Sequence, residues 1–149
     1  TILGILNKKE IRYKVCNTLS DVQNLPAILE DFDAVVFHFD SRYEAVYATD
    51  YAIVYSDILA TKPSELAFYP IPRLFLRRVG DHESYSADYG FKLGESTPER
   101  RSEKEALNDL KEWQSDPTPL KQMNETIAAN HAMRLYNGSS VAIERALEE

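Results

Sequence analysis

Three carboxylates, Asp40, Glu44 and Asp50, lie just after the apolar run Ala34–Phe39. Carboxylates gathered at a strand-to-helix turn can transfer protons when they are positioned beside a reacting group. The same residues also favour a helix N-terminus by charge–dipole attraction, about 0.3–1 kcal/mol each, and that structural role accounts for them better. His38 and Asp40 share one face of an extended strand, because residues two apart do so, but two ligands do not make a metal site. His82 sits in a turn and His131 on a helix, neither with a partner at ligand spacing, so no metal and no cofactor are expected. Cys16 is the only thiol, and a lone cysteine on a strand reads as a small buried hydrophobe rather than a nucleophile. Tyr43, Tyr47, Tyr51 and Tyr55 recur every four residues, which on one long helix makes an aromatic stripe suited to packing or to a partner surface. There is no phosphate-binding loop, no dinucleotide glycine pattern and no Gly-x-Ser-x-Gly elbow. No catalytic residue is therefore assigned.

These groups must be carried by a chain of 149 residues, 44% hydrophobic and 28% charged, with a formal charge of −7 from 17 basic and 24 acidic side chains. That length suits one domain of about 100–150 residues with a small appendage. The longest apolar runs fall well short of the roughly 20 residues that a membrane-spanning helix needs, so direct membrane insertion is not expected. One cysteine excludes an internal disulfide framework and fits a reducing intracellular or organellar compartment. The start, Thr1-Ile-Leu-Gly-Ile-Leu-Asn-Lys-Lys, lacks the order of a secretory signal. A presequence removed ahead of Thr1 stays open. Nucleic acid is disfavoured, because phosphate binding needs a basic surface and the sequence pI is near 5.0. The pairs Arg77-Arg78 and Arg100-Arg101 are too small to change that reading.

Along the chain, Ile11–Cys16 alternates apolar and basic residues as a half-buried strand does. A helical segment over Asn17–Asp31 follows, with Ser20 or Asn24 as cap and Pro26 in a first turn. Ala34-Val-Val-Phe-His-Phe39 is β-branched and apolar on both faces, the composition of a central strand. Residues 43–59 read either as a helix over Tyr43–Asp50 and a strand over Ala52–Asp57, or as one long helix; periodicity leaves both open. Pro63–Tyr69 can make two helical turns. Arg73–Val79 reads as a strand, and Gly80–Glu83 as a turn into a second strand over Ser84–Phe91, giving a hairpin. Gly94–Glu99 reads as loop. Ser102 and Glu105 have the spacing of a capping box, ahead of a stripe formed by Ala106, Leu107, Leu110 and Trp113. Thr118 and Pro119 begin another helix through about Tyr136, and Val141–Leu147 forms a last short one.

This order resembles the thioredoxin fold. The local signature is Glu65-Leu-Ala-Phe-Tyr-Pro-Ile-Pro-Arg-Leu-Phe-Leu76, similar to that family's short helix, Ile-Pro loop and hydrophobic strand; Val35-Val-Phe-His-Phe39 resembles its central strand. The resemblance implies a three-layer α/β sandwich with a mixed sheet and a C-terminal hairpin over residues 11–115, after an N-terminal segment of residues 1–10. Residues 116–149 form a helical extension. It also implies a cis bond at Ile71–Pro72, which proline permits at about 0.5–1 kcal/mol. The family's Cys-x-x-Cys would fall at Glu44-Ala-Val-Tyr47, where thiol–disulfide exchange cannot occur. The chain therefore looks like a redox-inactive member, similar to the non-catalytic domains of the protein disulfide isomerase family.

The expected function is a non-catalytic protein-interaction or assembly module, a subunit of a larger complex. By resemblance it receives an extended partner segment in a groove lined by Tyr43, Glu44, Tyr47, Ile71, Pro72 and Arg73. Protein partners are expected and a small-molecule ligand is not. The terminal helices either pack back on the domain or dock on another subunit. The rival reading is a cysteine-less enzyme of the same fold, such as a glutathione-dependent transferase. There Glu83-Ser84 would anchor the ligand and Tyr43 or Tyr47 would activate the thiol.

Overall fold

In the computed structural model, residues 1–64, 66–67, 69–133 and 138–148 are described, and the chain divides into two compact units, Thr1–Ser56 and Asp57–Glu149. The division falls far from the boundary expected near residue 115. The protein is mixed α/β, with strands paired in two small parallel sheets.

The first unit runs α1 (Ile2–Lys8), β1 (Tyr13–Cys16), α2 (Leu19–Gln23), α3 (Leu25–Asp31), β2 (Ala34–Phe37) and α4 (Arg42–Ile53). The single helix expected over Asn17–Asp31 is two. Thr18 caps α2 through its side-chain oxygen, and Asn24 separates it from α3, where Pro26 occupies the first turn and needs no amide partner. β1 and β2 pair in parallel with Val15 opposite Val36. Cys16, Val22, Leu25, Ile28 and Ala48 form the buried set. Ser41 caps α4 by accepting the Tyr43 amide. Of the two alternatives for residues 43–59, the helical one is realised as far as Ile53, and the segment Ala52–Asp57 forms no strand.

The second unit holds β3 (Leu59–Thr61), β4 (Arg73–Phe75), α5 (Ser84–Lys92), α6 (Glu103–Ser115), α7 (Thr118–Met133) and α8 (Gly138–Glu148). β3 and β4 are parallel, and residues 96–100 run parallel beside β4 through bridges Arg73–Ser96 and Leu76–Arg100. The core stacks Phe75 on Ala67 and Ala87, and Leu74 on Ala106 and Trp113, with Leu110, Leu120 and Met123 closing the second cluster. The capping box forms as the spacing predicts, Ser102 and Glu105 each bonding the other's amide. Of the α6 stripe, Ala106 and Trp113 are buried while Leu107 is exposed. α7 packs on α6, so this part of the extension folds back. Its expected end near Tyr136 lies outside the described residues.

Four expectations are corrected. The hairpin does not form: Asp81–Glu83 is a 3-10 turn and residues 84–92 are a helix. The alternation of Tyr85, Ala87 and Tyr89 fits a strand only locally. The helix buries Ala87 and Gly90, three apart, and stacks Tyr85 on Tyr89, four apart, at 5.8 Å. The strands ending at Phe37 and beginning at Arg73 lie in different sheets, because each finds a nearer parallel partner in its own unit. Ile71–Pro72 is not cis. The described part of Pro63–Tyr69 forms turns rather than helix.

Candidate functional site

The six residues expected to line one groove divide between the units. Ile71, Pro72 and Arg73 are buried in the second. Arg73 opens β4 with its guanidinium inside the core. It donates to the Tyr69 and Ile71 carbonyls and to the Glu95 carboxylate. Asn130, on α7, fixes the other Glu95 oxygen at 2.9 Å and also donates to the Leu93 carbonyl. A buried, multiply bonded ion pair positions backbone and offers no face to a partner, so Arg73 is structural. Sequence reasoning missed Glu95 and Asn130, because residues so far apart along the chain carry no local pattern.

Tyr43, Glu44 and Tyr47 stay together on α4 in the first unit. Tyr43 is 77% exposed, with Arg42 over its ring, and Val46 beside it is also exposed. Tyr47 stacks on Tyr51, and Tyr51 on Tyr55, as the four-residue spacing predicts. Tyr51 donates to the Gln23 carbonyl at 3.2 Å, which holds α4 against α2. The Tyr51 hydroxyl is raised above the ordinary phenol value, chiefly through hydrogen bonding with Tyr55 and then burial.

The strand that leads into α4 is the more informative feature. Ala34 and His38 donate their amides to the Arg12 and Cys16 carbonyls of the β1 side, at 3.1 and 3.0 Å. The period of two then turns the backbone groups of Val35 and Phe37 to the other side, where they find no partner among the described residues. All four β2 residues are only half-buried, although their composition suits a strand covered on both faces. Phe37 and Phe39 stack at 6.3 Å. The outer edge of β2 is thus apolar and has no strand partner among the described residues, and α4 follows β2 directly in the chain. Cys16 beside it is buried, and burial together with the Asp21 carboxylate pushes its thiol up, away from the thiolate that redox chemistry requires.

Glu83, expected as a ligand anchor on the transferase reading, is occupied. It accepts Lys62 Nζ at 2.9 Å and the Val79 amide at 2.8 Å, and these bonds hold its carboxyl below the usual range. Ser84 begins α5, while Tyr43 and Tyr47 belong to the first unit. No cluster of three or more His, Cys, Asp or Glu suited to a metal occurs among the described residues. None of their helices is long and apolar enough to cross a membrane. An open cleft of about 780 Å³ beside Trp113, Ile58 and Leu120 follows from the packing of α6 on α7.

The structure defines an α/β protein whose two units each rest on short parallel strands. The chain belongs to the family described as "Domain of unknown function (DUF6938)", whose model matches residues 4–147. No curated protein matches. No solved structure matches either.

Proposed function

We propose that this chain is a non-catalytic protein-interaction module of a larger assembly, and that its partner supplies an extended segment pairing with the outer edge of β2. One observation supports the reading: the outward backbone groups of Val35 and Phe37, on a strand composed for burial, have no partner among the described residues. Strand addition satisfies such groups, main-chain bonds giving affinity and side-chain pockets giving specificity. Tyr43, Glu44 and Tyr47 on α4 supply the flanking contacts, tyrosine offering large area at small entropy cost. With Asp40 just past the strand and a chain charge of −7, the fitting segment is β-branched with basic residues beside it. The thioredoxin-like relationship is kept in reduced form: the order β1, α2, α3, β2, α4 supports it. Glu44–Tyr47, in the place of the redox motif, then serves binding instead of sulfur chemistry.

The test is to select extended peptides against the chain and map amide hydrogen exchange with and without them. Bound peptide should protect Val35 and Phe37. Val35→Pro removes an outward amide and spares the β1 bonds, so it should weaken binding about tenfold or more with the circular dichroism unchanged. Phe37→Lys, which charges the edge, should do the same. Protection confined elsewhere, or unchanged binding by both variants, overturns the reading.

A further inference from the structure

Six arginines among the described residues sort into two groups by what their donors do. Arg12 is bidentate to Asp33 at 3.0 and 2.9 Å, Arg100 is bidentate to Asp109 at 2.6 and 2.9 Å, and Arg73 is committed to Glu95. Arg77, Arg78 and Arg101 are different. Arg78 stands 3.6 Å from both Asp81 and Glu99, and Arg101 stands 4.0 Å from Glu99. These separations lie beyond the roughly 3.2 Å reach of an N–H···O bond, so the guanidinium donors are not spent. Arg77 has no hydrogen bond or ion pair among the described residues.

All three line one cleft of about 460 Å³, closed by Val79, Gly80, Asp81 and Glu99. A smaller cleft of about 200 Å³, reaching Leu76, Arg100 and Ser102, adjoins it through Arg77 and Arg101. The fold explains the gathering. The Leu76 amide bonds the Thr61 carbonyl at 2.9 Å, and the Arg100 amide bonds the Phe75 carbonyl at 2.8 Å. Three parallel ribbons therefore end together, and the two arginine pairs, separate in sequence, leave the sheet side by side. Open parallel sheets bind ligands outside the carboxyl ends of their strands. Glu99 is fixed there by the Arg78 amide at 3.0 Å, and Asp81 is fully in solvent, where its charge is screened. Ahead of α6 the amides of Arg101 and Ser102 are already bonded to the Glu105 carboxylate, and the Glu105 amide to Ser102 Oγ.

From this juxtaposition we propose that the cleft of Arg77, Arg78 and Arg101 binds the phosphate group of a small phosphorylated molecule. Guanidinium forks match phosphate oxygens in pairs, and a three-fork site suits a dianion better than a single carboxylate. The cleft is of a size for one small ligand. This proposal revises the expectation that no small ligand binds, and it is independent of the partner edge in the first unit.

The experiment is calorimetric titration of the full chain at constant ionic strength with four probes: inorganic phosphate, pyrophosphate, ribose 5-phosphate and a short oligothymidylate. Saturable binding of ribose 5-phosphate, tighter than inorganic phosphate, is the expected result. Arg77→Gln and Arg101→Gln, both at exposed positions, should each weaken it by about tenfold. Lys104→Gln, on α6 outside the cleft, should leave it unchanged. No saturable binding by any probe, or equal loss in Lys104→Gln, overturns the proposal. Tightest binding of inorganic phosphate would assign the cleft to the free ion, and tightest binding of oligothymidylate would assign it to nucleic acid. Either result also overturns the proposal.

Discussion

Each unit clamps the starts of two neighbouring parallel ribbons with an arginine and a carboxylate, and the two clamps differ in burial and in how many further bonds hold them. In the first, Arg12 ahead of β1 holds Asp33 ahead of β2, with side chains 67% and 51% exposed. In the second, Arg73 at the head of β4 holds Glu95 ahead of residues 96–100, with both side chains 1% exposed. The backbone arrangement is alike, with the Asp33 amide bonding the Arg12 carbonyl at 2.9 Å and the Arg73 amide bonding the Glu95 carbonyl at 3.1 Å. What differs is what surrounds them. The second unit covers β4 with α5, α6 and α7, whereas the first leaves β2 half-buried. An ion pair in water is worth little and one inside a core is costly to break. The comparison therefore separates an ion pair enclosed by a core from one that faces solvent.

The largest expected effect breaks the buried clamp. Glu95→Gln takes a counter-charge from the buried Arg73 guanidinium and should cost the second unit about 3–5 kcal/mol. Because the chain holds two units, a single unfolding midpoint is not a safe readout. Hydrogen exchange resolved by residue is the right measurement, with protection falling over residues 59–61, 73–75 and 96–100. Next is Gly90→Ala. A Cβ built at this α5 position would sit 2.9 Å from the Phe75 ring and 3.1 Å from Ser96 Oγ. Overpacking of that kind costs about 1–3 kcal/mol, so urea denaturation followed in the second unit should move to lower concentration. An unchanged midpoint would show that the second core is looser than its burial implies.

Much of this contrast was legible in the sequence at short range and little at long range. The capping box of α6, the four-residue tyrosine stack and the strand character of Val35–Phe37 are all local patterns, and they stand. Residues 84–91 were misread because three alternating positions satisfy a strand as well as a helix until the i, i+3 burial of Ala87 and Gly90 is seen. Pairing failed for a different reason. An Ile-Pro motif ahead of an apolar strand does not say which strand will lie beside it, and β4 chose β3, only a few residues upstream of the bend. The arginine cleft was invisible for the same cause. Arg77-Arg78 and Arg100-Arg101 are unremarkable as dipeptides and meet only through the bridge between Leu76 and Arg100. Arg73 was expected to line a groove, since nothing local announced Glu95 as its partner.

The smallest expected effect sharpens the comparison from the exposed side. The hydrogen bonds from the Arg12 guanidinium and amide hold the Asp33 carboxyl below its ordinary value of 3.8. A carboxylate whose folded value is depressed adds stability that is fully present above the unfolded value and drains away as pH falls through the folded one. Protection of β1 and β2 should therefore decline below about pH 3.8 by a component that Asp33→Asn removes. With both side chains more than half in solvent, that component should also shrink as salt is raised past the point where the screening length falls to about 3 Å, near 1 M. If high salt leaves the Asp33-dependent protection intact, the first clamp is shielded in solution as the second is by its core. The edge of β2 would then be covered rather than open.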